Sequence, residues 1–115
     1  MMRDQIESEM ELVADIFKAM GDVNRLYILS LLSHQELCVC EITSLLKITQ
    51  SNASQHLAKL RSVGLVKERR SAQWIYYSLN TETFPMVCDI LKLLPDVSSE
   101  LQKVEGMKNN LKCKN

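Results

Sequence analysis

Two cysteines separated by a single residue are the part of this sequence best suited to ligand chemistry. Cys38 and Cys40 flank Val39 within residues 36–42, ELCVCEI. Cysteine thiolates are soft ligands that select soft metal ions. One cysteine in such a segment is usually a small packing residue. Two of them at what we expect to be a solvent-facing helix start predict a metal-binding pair.

A second group of side chains is suited to reading DNA. The helix predicted to end near Val63 has a narrow apolar seam of Ala53, Leu57 and Leu60, so most of its surface must face something other than the core. Amide side chains pair with adenine, and Arg and Lys pair with guanine or phosphate. The residues of this helix that we expect to contact DNA are Gln50, Ser51, Asn52, Ser54, Gln55, His56, Lys59 and Arg61.

A basic hairpin is predicted to follow this helix. Residues 65–69 and 74–79 have the composition of strands, and the segment between them forms a short turn. Arg69, Arg70 and Gln73 lie at or near the tip. They are the types that contact phosphates or the minor groove, so we add them to the candidate DNA-binding residues.

Charge is distributed unevenly along a chain that is neutral in total, with 14 basic and 14 acidic residues. Residues 1–41 have three basic and eight acidic side chains, which leaves a net charge of −5. Residues 42–81 have six basic side chains and one acidic side chain, which leaves +5. Such a basic middle is either a solvated face or a surface that meets a polyanion, and the polar helix and basic hairpin within it favour nucleic acid.

Six helices are predicted around these groups. An apolar stripe marks the first helix, which Gly21 ends; it consists of Ile6, Met10, Val13, Phe17 and Met20. Asp22 is placed to cap a second helix over residues 23–33. A third helix is predicted over residues 38–46. Side chains two residues apart on a helix point about 200° apart, so we expect a ligand shared by both cysteines to unwind its first turn.

The elements add up to a mainly α fold with a small β-hairpin (α+β), a winged helix-turn-helix in one domain, 1–115. Residues 38–63 form the helix-turn-helix, and residues 65–79 form the wing. Thr81 or Thr83 is predicted to cap a fifth helix that Pro95 ends, and a sixth amphipathic helix reaches about residue 111. The helices over 1–20 and 82–111 have more apolar surface than one small core covers, which predicts a homodimer with two recognition helices about one DNA turn apart.

Composition restricts the function classes. A chain of 115 residues and 13.2 kDa is enough for one domain. Its apolar runs are too short for a membrane span, and its acidic N-terminus is unlike a signal peptide. We therefore expect a cytoplasmic protein with reduced thiols and no membrane partner. Three glycines leave no room for a phosphate loop, and no Ser/His/Asp set is present, so we expect no enzyme.

Three segments together resemble the ArsR/SmtB family of metal-responsive repressors. They are residues 21–29, GDVNRLYIL; residues 36–42, ELCVCEI; and residues 51–60, SNASQHLAKL. The resemblance covers residues 12–94 and implies a dimeric winged-helix repressor that leaves operator DNA when a toxic metal ion binds. Val23 stands where the family usually has proline, which affects the start of a helix and not the implied function.

Within this family, the ELCVC form resembles that of arsenite and antimonite sensors, which implies As(III) or Sb(III) as the inducer at Cys38 and Cys40. Thr43 stands where such sensors often have a third cysteine. Cys113, in the polar tail that we expect to close over a bound metal, is the candidate third ligand. Cadmium and lead sensors share the motif but add a cysteine pair near the N-terminus, and this chain has no cysteine before Cys38. The family's zinc site needs histidine on the fifth helix, and residues 82–94 contain none.

Several alternatives stay open at this point. Cd(II) or Pb(II) could be the signal, bound by Cys38, Cys40 and Cys113. Thiol oxidation is another signal, although a disulfide between positions two apart is strained. A metallochaperone or thiol enzyme would leave the basic middle unexplained, and a protein-binding winged helix would show no salt-dependent DNA binding.

Overall fold

The computed structural model describes residues 2–82 and 85–110, with side chains described at 4–82 and 85–104. It has an α+β fold of helices around a small sheet, as the sequence predicts. The elements are α1 (Met2–Met20), α2 (Val23–Leu32), β1 (Leu37–Cys38), α3 (Val39–Leu46), α4 (Gln50–Ser62), β2 (Val66–Ser71), β3 (Trp74–Leu79), α5 (Pro85–Leu91) and α6 (Ser98–Asn110).

The first two helices meet at a capped corner. Asp22 precedes α2 in an extended conformation, and its carboxylate accepts the backbone N–H of Arg25 at 3.1 Å. This confirms Asp22 as the N-cap, which satisfies a donor that the helix itself leaves unpaired. Helix α1 buries Ile16, Ala19 and Met20 against the core, while most of its predicted apolar stripe stays exposed.

Helices α3 and α4 form the helix-turn-helix. Lys47 ends α3 with a left-handed backbone (φ 58°), and Thr49 caps α4 by accepting the backbone N–H of Asn52 at 3.0 Å. The predicted seam of α4 is confirmed, because Ala53, Leu57 and Leu60 are fully buried.

Gly64 turns the chain from α4 into the sheet. Its φ of 82° is a left-handed conformation that glycine adopts without steric cost. The Gly64 N–H donates to the Arg61 carbonyl and the Leu65 N–H donates to the Leu60 carbonyl, both at 3.0 Å. This pair of bonds is a Schellman motif, which ends the helix and starts β2 in a fixed direction.

The sheet has three antiparallel strands in the order β1-β3-β2. Strands β2 and β3 form the predicted wing. Strand β1 was not predicted, since two residues are too short to show the alternation typical of strands. Cys38 pairs with Tyr76 in this strand, so the prediction that Cys38 lies inside the third helix is wrong, and α3 begins one residue later.

The C-terminal helices differ from the prediction in extent. Helix α5 ends at Leu91, three residues before the predicted Leu94. Helix α6 packs against α3 of the same chain, and Val104 on it is fully buried. Over its described side chains, the apolar face of α6 is therefore used within the chain. The part of residues 82–111 in dimerisation stays a prediction. Thr83 and Cys113 lie outside the described residues.

One core joins these elements. Its fully buried side chains include Ile28, Leu29, Leu31, Leu37, Ile42, Leu57, Leu60, Leu65 and Val104. Across the described residues, the helices are too short or too polar to cross a lipid bilayer.

Candidate thiol site and nucleic-acid interface

The two cysteine sulfurs lie together at the junction of β1 and α3. Cys38 is the N-cap of α3, with an extended backbone (φ −87°, ψ 164°), and Cys40 lies in the first turn. The Cys38 Sγ and Cys40 Sγ atoms are 3.0 Å apart. The premise that both cysteines lie inside the helix is therefore wrong, because Cys38 precedes α3 and its side chain does not follow the helical rotation. Unwinding of the first turn by a shared ligand stays a prediction.

A buried carboxylate holds Cys38 in this position. Glu41 is 3% exposed, and its Oε1 atom accepts the backbone N–H of Cys38 at 2.9 Å. The pair forms a capping box in which cysteine takes the place usually held by serine or threonine. Glu41 was not predicted to take part in the site, although an acid three residues after an N-cap is the spacing of this motif.

Burial also controls the protonation of the site. Cys38 is 1% exposed, which corrects the expectation of a solvent-facing pair, while Cys40 is half-buried. Removal from water raises the pKa of the Cys38 thiol to about 11, and the negative charge of Glu41 adds to this increase. Backbone N–H groups of Glu41 and Cys40 act in the opposite direction but are outweighed. Cys38 is thus a protonated thiol near pH 7.

In the described part of the chain, no third His, Cys, Asp or Glu side chain joins the pair to complete a metal site. Within residues 4–82 and 85–104, no three His, Cys, Asp or Glu side chains are grouped to hold a metal ion. Thr43 donates its hydroxyl to the Cys40 carbonyl at 2.9 Å. Cys88 is half-buried on α5 and lines a separate cavity of about 400 Å³ with Ser30 and His34. The candidate Cys113 falls outside the described residues.

Helix α4 presents a broad polar face on the side opposite its buried seam. The predicted DNA-contacting residues that are exposed on this helix are Gln50, Ser51, Asn52, Ser54, Gln55, Lys59 and Arg61. The structure thus brings together side chains of the types that contact base edges and phosphates.

His56 is placed differently from the other candidates on α4. It is half-buried, and its Nδ1 atom lies 3.2 Å from Arg25 Nη1 and 3.8 Å from Asp22 Oδ2. Arg25 in turn donates from Nε to the Ala19 carbonyl at 2.6 Å. His56 therefore faces the protein, in a cluster that joins the end of α1, the start of α2 and the middle of α4.

The two predicted DNA-binding arginines of the wing, Arg69 and Arg70, differ in their surroundings. Arg69 forms an ion pair with Glu36, in which its Nη2 and Nε atoms donate to the two carboxylate oxygens at 2.7 and 3.0 Å. Its guanidinium also lies 4.7 Å from the centre of the Tyr76 ring. Hydrogen bonding to Arg69 lowers the pKa of Glu36. Arg70 is exposed near the tip, and Gln73 is exposed in the turn.

A second ion pair joins the end of α4 to the wing. Arg61 Nη1 lies 2.6 Å from Glu68 Oε1, and the Tyr77 hydroxyl donates to Glu68 Oε2 at 3.2 Å. Burial, followed by the charge of Glu68, raises the pKa of Tyr77. The recognition helix and the wing are thus connected by side chains as well as by the chain itself. Arg61 and Glu68 are seven positions apart in two different elements, so sequence periodicity could not identify this pair.

Known proteins are similar to this chain in sequence. Residues 22–68 match the profile described as "Bacterial regulatory protein, arsR family". The arsenic resistance transcriptional regulator ArsR1 of Pseudomonas putida is 40% identical over 74% of this chain and 67% of its own length. The arsenical resistance operon repressor of Escherichia coli is 35% identical over 87% of this chain and 85% of its own. A Staphylococcus aureus homologue of the cadmium resistance regulator CadC is 39% identical over 61% of this chain and 59% of its own.

Solved structures are similar to it in fold. Reduced HlyU from Vibrio cholerae is 39% identical, with a TM-score of 0.68 over 78% of this chain and 92% of that one. A homodimeric winged helix-turn-helix DNA-binding domain from Mycobacterium bovis is 29% identical, with a TM-score of 0.72 over 87% of this chain and 90% of that one. Both likenesses support the winged helix-turn-helix architecture described above.

Proposed function

Because this chain belongs to the arsR family of bacterial regulatory proteins, which are DNA-binding regulators and not enzymes, we propose a specific signal and response for it. The chain is a transcriptional repressor that binds operator DNA as a homodimer in the cytoplasm. It leaves the DNA when As(III) or Sb(III) binds the sulfurs of Cys38 and Cys40.

The observation that carries this proposal is the 3.0 Å separation of the two sulfurs directly before the helix-turn-helix. At neutral pH arsenite is the uncharged acid As(OH)₃. Each thiol replaces one hydroxide: an As–S bond forms and an As–O bond breaks. The thiol proton joins the departing hydroxide to form a water molecule. In the reduced protein, two thiols therefore bind one As(III) with the release of two waters, and the protonated Cys38 supplies the proton of one of them. A buried, protonated Cys38 suits this exchange.

The polar face of α4 and the exposed cations support operator binding. Lys59 lies on the recognition helix, and Lys67 and Arg70 lie on the wing, all exposed to solvent. Contacts between such residues and phosphates release counterions, so that affinity falls steeply with salt. Amide and hydroxyl groups at the start of α4 are placed to distinguish bases.

The exposed stripe of α1 supports the homodimer. Ile6, Met10, Val13 and Phe17 are 49%, 67%, 48% and 58% exposed in the single chain. A contiguous apolar surface of this kind is typical of an interface. A dimer with its two-fold axis at α1 would present two symmetry-related copies of α4, one for each half-site of a palindromic operator.

Cd(II) or Pb(II) is the second candidate inducer. Both are soft ions that bind thiolates, and a cadmium resistance regulator is among the similar proteins. These cations need deprotonated sulfur, so the raised pKa of Cys38 acts against them. They also prefer more thiolates than one pair, which would require Cys113 or a similar third ligand.

The test is a fluorescence anisotropy titration of the reduced protein on labelled DNA from upstream of its own gene. Arsenite, antimonite, Cd(II), Pb(II) and the oxidant diamide are added separately at fixed salt. We expect release by arsenite and antimonite at the lowest concentrations. Release by Cd(II) or Pb(II) alone would favour the second candidate, and release by diamide alone would favour thiol oxidation.

A variant of the recognition helix separates a DNA-binding regulator from a thiol-handling protein. Lys59→Gln should weaken DNA binding and reduce its salt dependence by about one phosphate contact. A metallochaperone would bind the same DNA weakly or not at all, and this change would leave its metal binding unaltered. Absence of salt-dependent binding by the wild-type protein would contradict the proposed function.

A further inference from the structure

A row of three side chains crosses the sheet from the thiol site to the wing. Cys38 on β1 pairs with Tyr76 on β3, and Tyr76 pairs with Arg69 on β2. Directly paired residues in antiparallel strands lie on the same face of the sheet. The thiol site is therefore next to β3 of the wing and one strand away from β2, although more than 30 residues separate Cys38 from either partner in sequence.

An ion pair also joins the two outer ends of this row directly, from Arg69 on β2 to the residue before β1. Arg69 reaches over the Tyr76 ring and binds both carboxylate oxygens of Glu36, at 2.7 and 3.0 Å. Glu36 directly precedes β1, two residues from Cys38. We refer to Glu36, Arg69 and Tyr76 as the clamp. Bidentate geometry combined with ring stacking restricts the guanidinium more than a single exposed ion pair would.

We propose that Glu36 is a positioning residue that holds the wing to the strand bearing Cys38, so that a ligand at the cysteine pair alters the wing as well as the helix-turn-helix. This inference rests on the proposed function for the identity of the ligand. It needs no unwinding of α3, because β1 transmits the displacement of Cys38 through its pairing with β3. The wing thus becomes the second DNA-contacting element under control of the thiol site.

The two-residue length of β1 explains why a clamp is needed. Two residues supply few ladder hydrogen bonds, and short strands of this kind separate easily from a sheet. Glu36 adds a side-chain attachment at the end of the strand where backbone pairing stops. Without it, Cys38 could move while the wing kept its position.

The first test uses ligand-free protein and does not depend on arsenite. Hydrogen exchange is measured by mass spectrometry over residues 66–79 in the wild type, Glu36→Gln and Glu82→Gln. Glu82 is also exposed, so Glu82→Gln removes the same charge without affecting the clamp. We expect exchange in the wing to rise about threefold to fivefold in Glu36→Gln alone, the range for an exposed ion pair of good geometry. Equal exchange in all three proteins would overturn the inference.

The second test uses Trp74, the single tryptophan of the chain, which lies at the start of β3. Arsenite should change its fluorescence in the wild type and in Glu82→Gln. In Glu36→Gln, arsenite should bind with unchanged affinity by calorimetry, with a smaller fluorescence change. The ratio of DNA affinities without and with arsenite should fall about threefold to fivefold. A full wild-type response in Glu36→Gln would overturn the inference.

These measurements separate the two proposals. If wing exchange rises in Glu36→Gln but arsenite leaves the DNA affinity of the wild type unchanged, the clamp is supported and the proposed function fails. If arsenite releases the wild-type protein and Glu36→Gln equally, with equal exchange in the wing, the proposed function is supported and the clamp fails.

Discussion

Glu41 Oε1 accepts the backbone N–H of Cys38 at 2.9 Å, which places a buried carboxylate beside the thiol proposed to bind arsenic. The contact fixes Cys38 outside α3 and brings its sulfur to Cys40. Burial raises the pKa of this thiol to about 11, and the charge of Glu41 makes a smaller contribution in the same direction. Glu41 therefore fixes the geometry of the site and adds to the effect of burial on the protonation of Cys38.

The raised pKa predicts different pH dependences for the two candidate inducers. A cation that binds thiolate must displace the Cys38 proton, so the association constant of Cd(II) should rise about tenfold per pH unit between pH 6 and 8 for each thiol deprotonated. Arsenite exchanges hydroxide for thiol without net proton release, so its affinity should stay within about twofold. Calorimetry of the reduced protein across this range measures both. An arsenite affinity as steep as that of Cd(II) would contradict the protonated state assigned to Cys38.

Arg25 is predicted to stabilise the corner between α1, α2 and α4. Arg25→Ala removes hydrogen bonds to the Ala19 carbonyl and to His56, and should lower the free energy of unfolding by about 2 kcal/mol. Lys18→Ala is the control, because the Lys18 side chain is exposed and the change keeps the Lys18 backbone carbonyl, which accepts a hydrogen bond from Arg25 Nη2 at 3.4 Å. Urea unfolding at one fixed protein concentration compares them. Equal stability of the two variants would show that the cluster does not hold the corner.

The wing turn contains a strained residue that glycine should relieve. Ala72 has a φ of 56° at the first position of the two-residue turn, where glycine is preferred. Ala72→Gly should therefore raise the free energy of unfolding by about 0.5–1 kcal/mol. The same substitution at an exposed position inside a helix, Ala58→Gly in α4, should lower the free energy of unfolding by about 1 kcal/mol. Thermal unfolding of both variants gives the comparison, and destabilisation by Ala72→Gly would refute the assigned strain.

The exposed stripe of α1 predicts how the homodimer can be separated. Met10→Glu places a charge on the apolar face and should weaken dimerisation at least about tenfold. Ser8→Glu adds the same charge outside this stripe and should leave the dimer intact. Light scattering after size-exclusion chromatography distinguishes monomer from dimer. A dimer that survives Met10→Glu would move the interface away from α1.

Sequence patterns were sufficient for the elements that have a clear period or cap. The seam of α4, the Asp22 cap and the wing strands follow from local spacing, and the structure confirms them. Strand β1 was missed because two residues carry no period, and its presence moved Cys38 out of the helix. The ion pair of Arg69 with Glu36 joins residues 33 positions apart, so it depends on strand order, which local patterns do not encode.

As(III) bound to Cys38 and Cys40 is proposed to release operator DNA. The most direct measurement is arsenite-induced release of labelled DNA from the wild type, Cys38→Ser, Cys40→Ser and Cys88→Ser, each reduced and at the same salt concentration. Cys88→Ser is the matched control, because it also loses one thiol but at the separate cavity beside α5.

We expect arsenite to weaken DNA binding by at least about tenfold in the wild type and in Cys88→Ser. Neither Cys38→Ser nor Cys40→Ser should respond, although both should bind DNA without arsenite. Full arsenite-induced release in Cys38→Ser would contradict the account, since the buried thiol at the start of α3 would then play no part in the response.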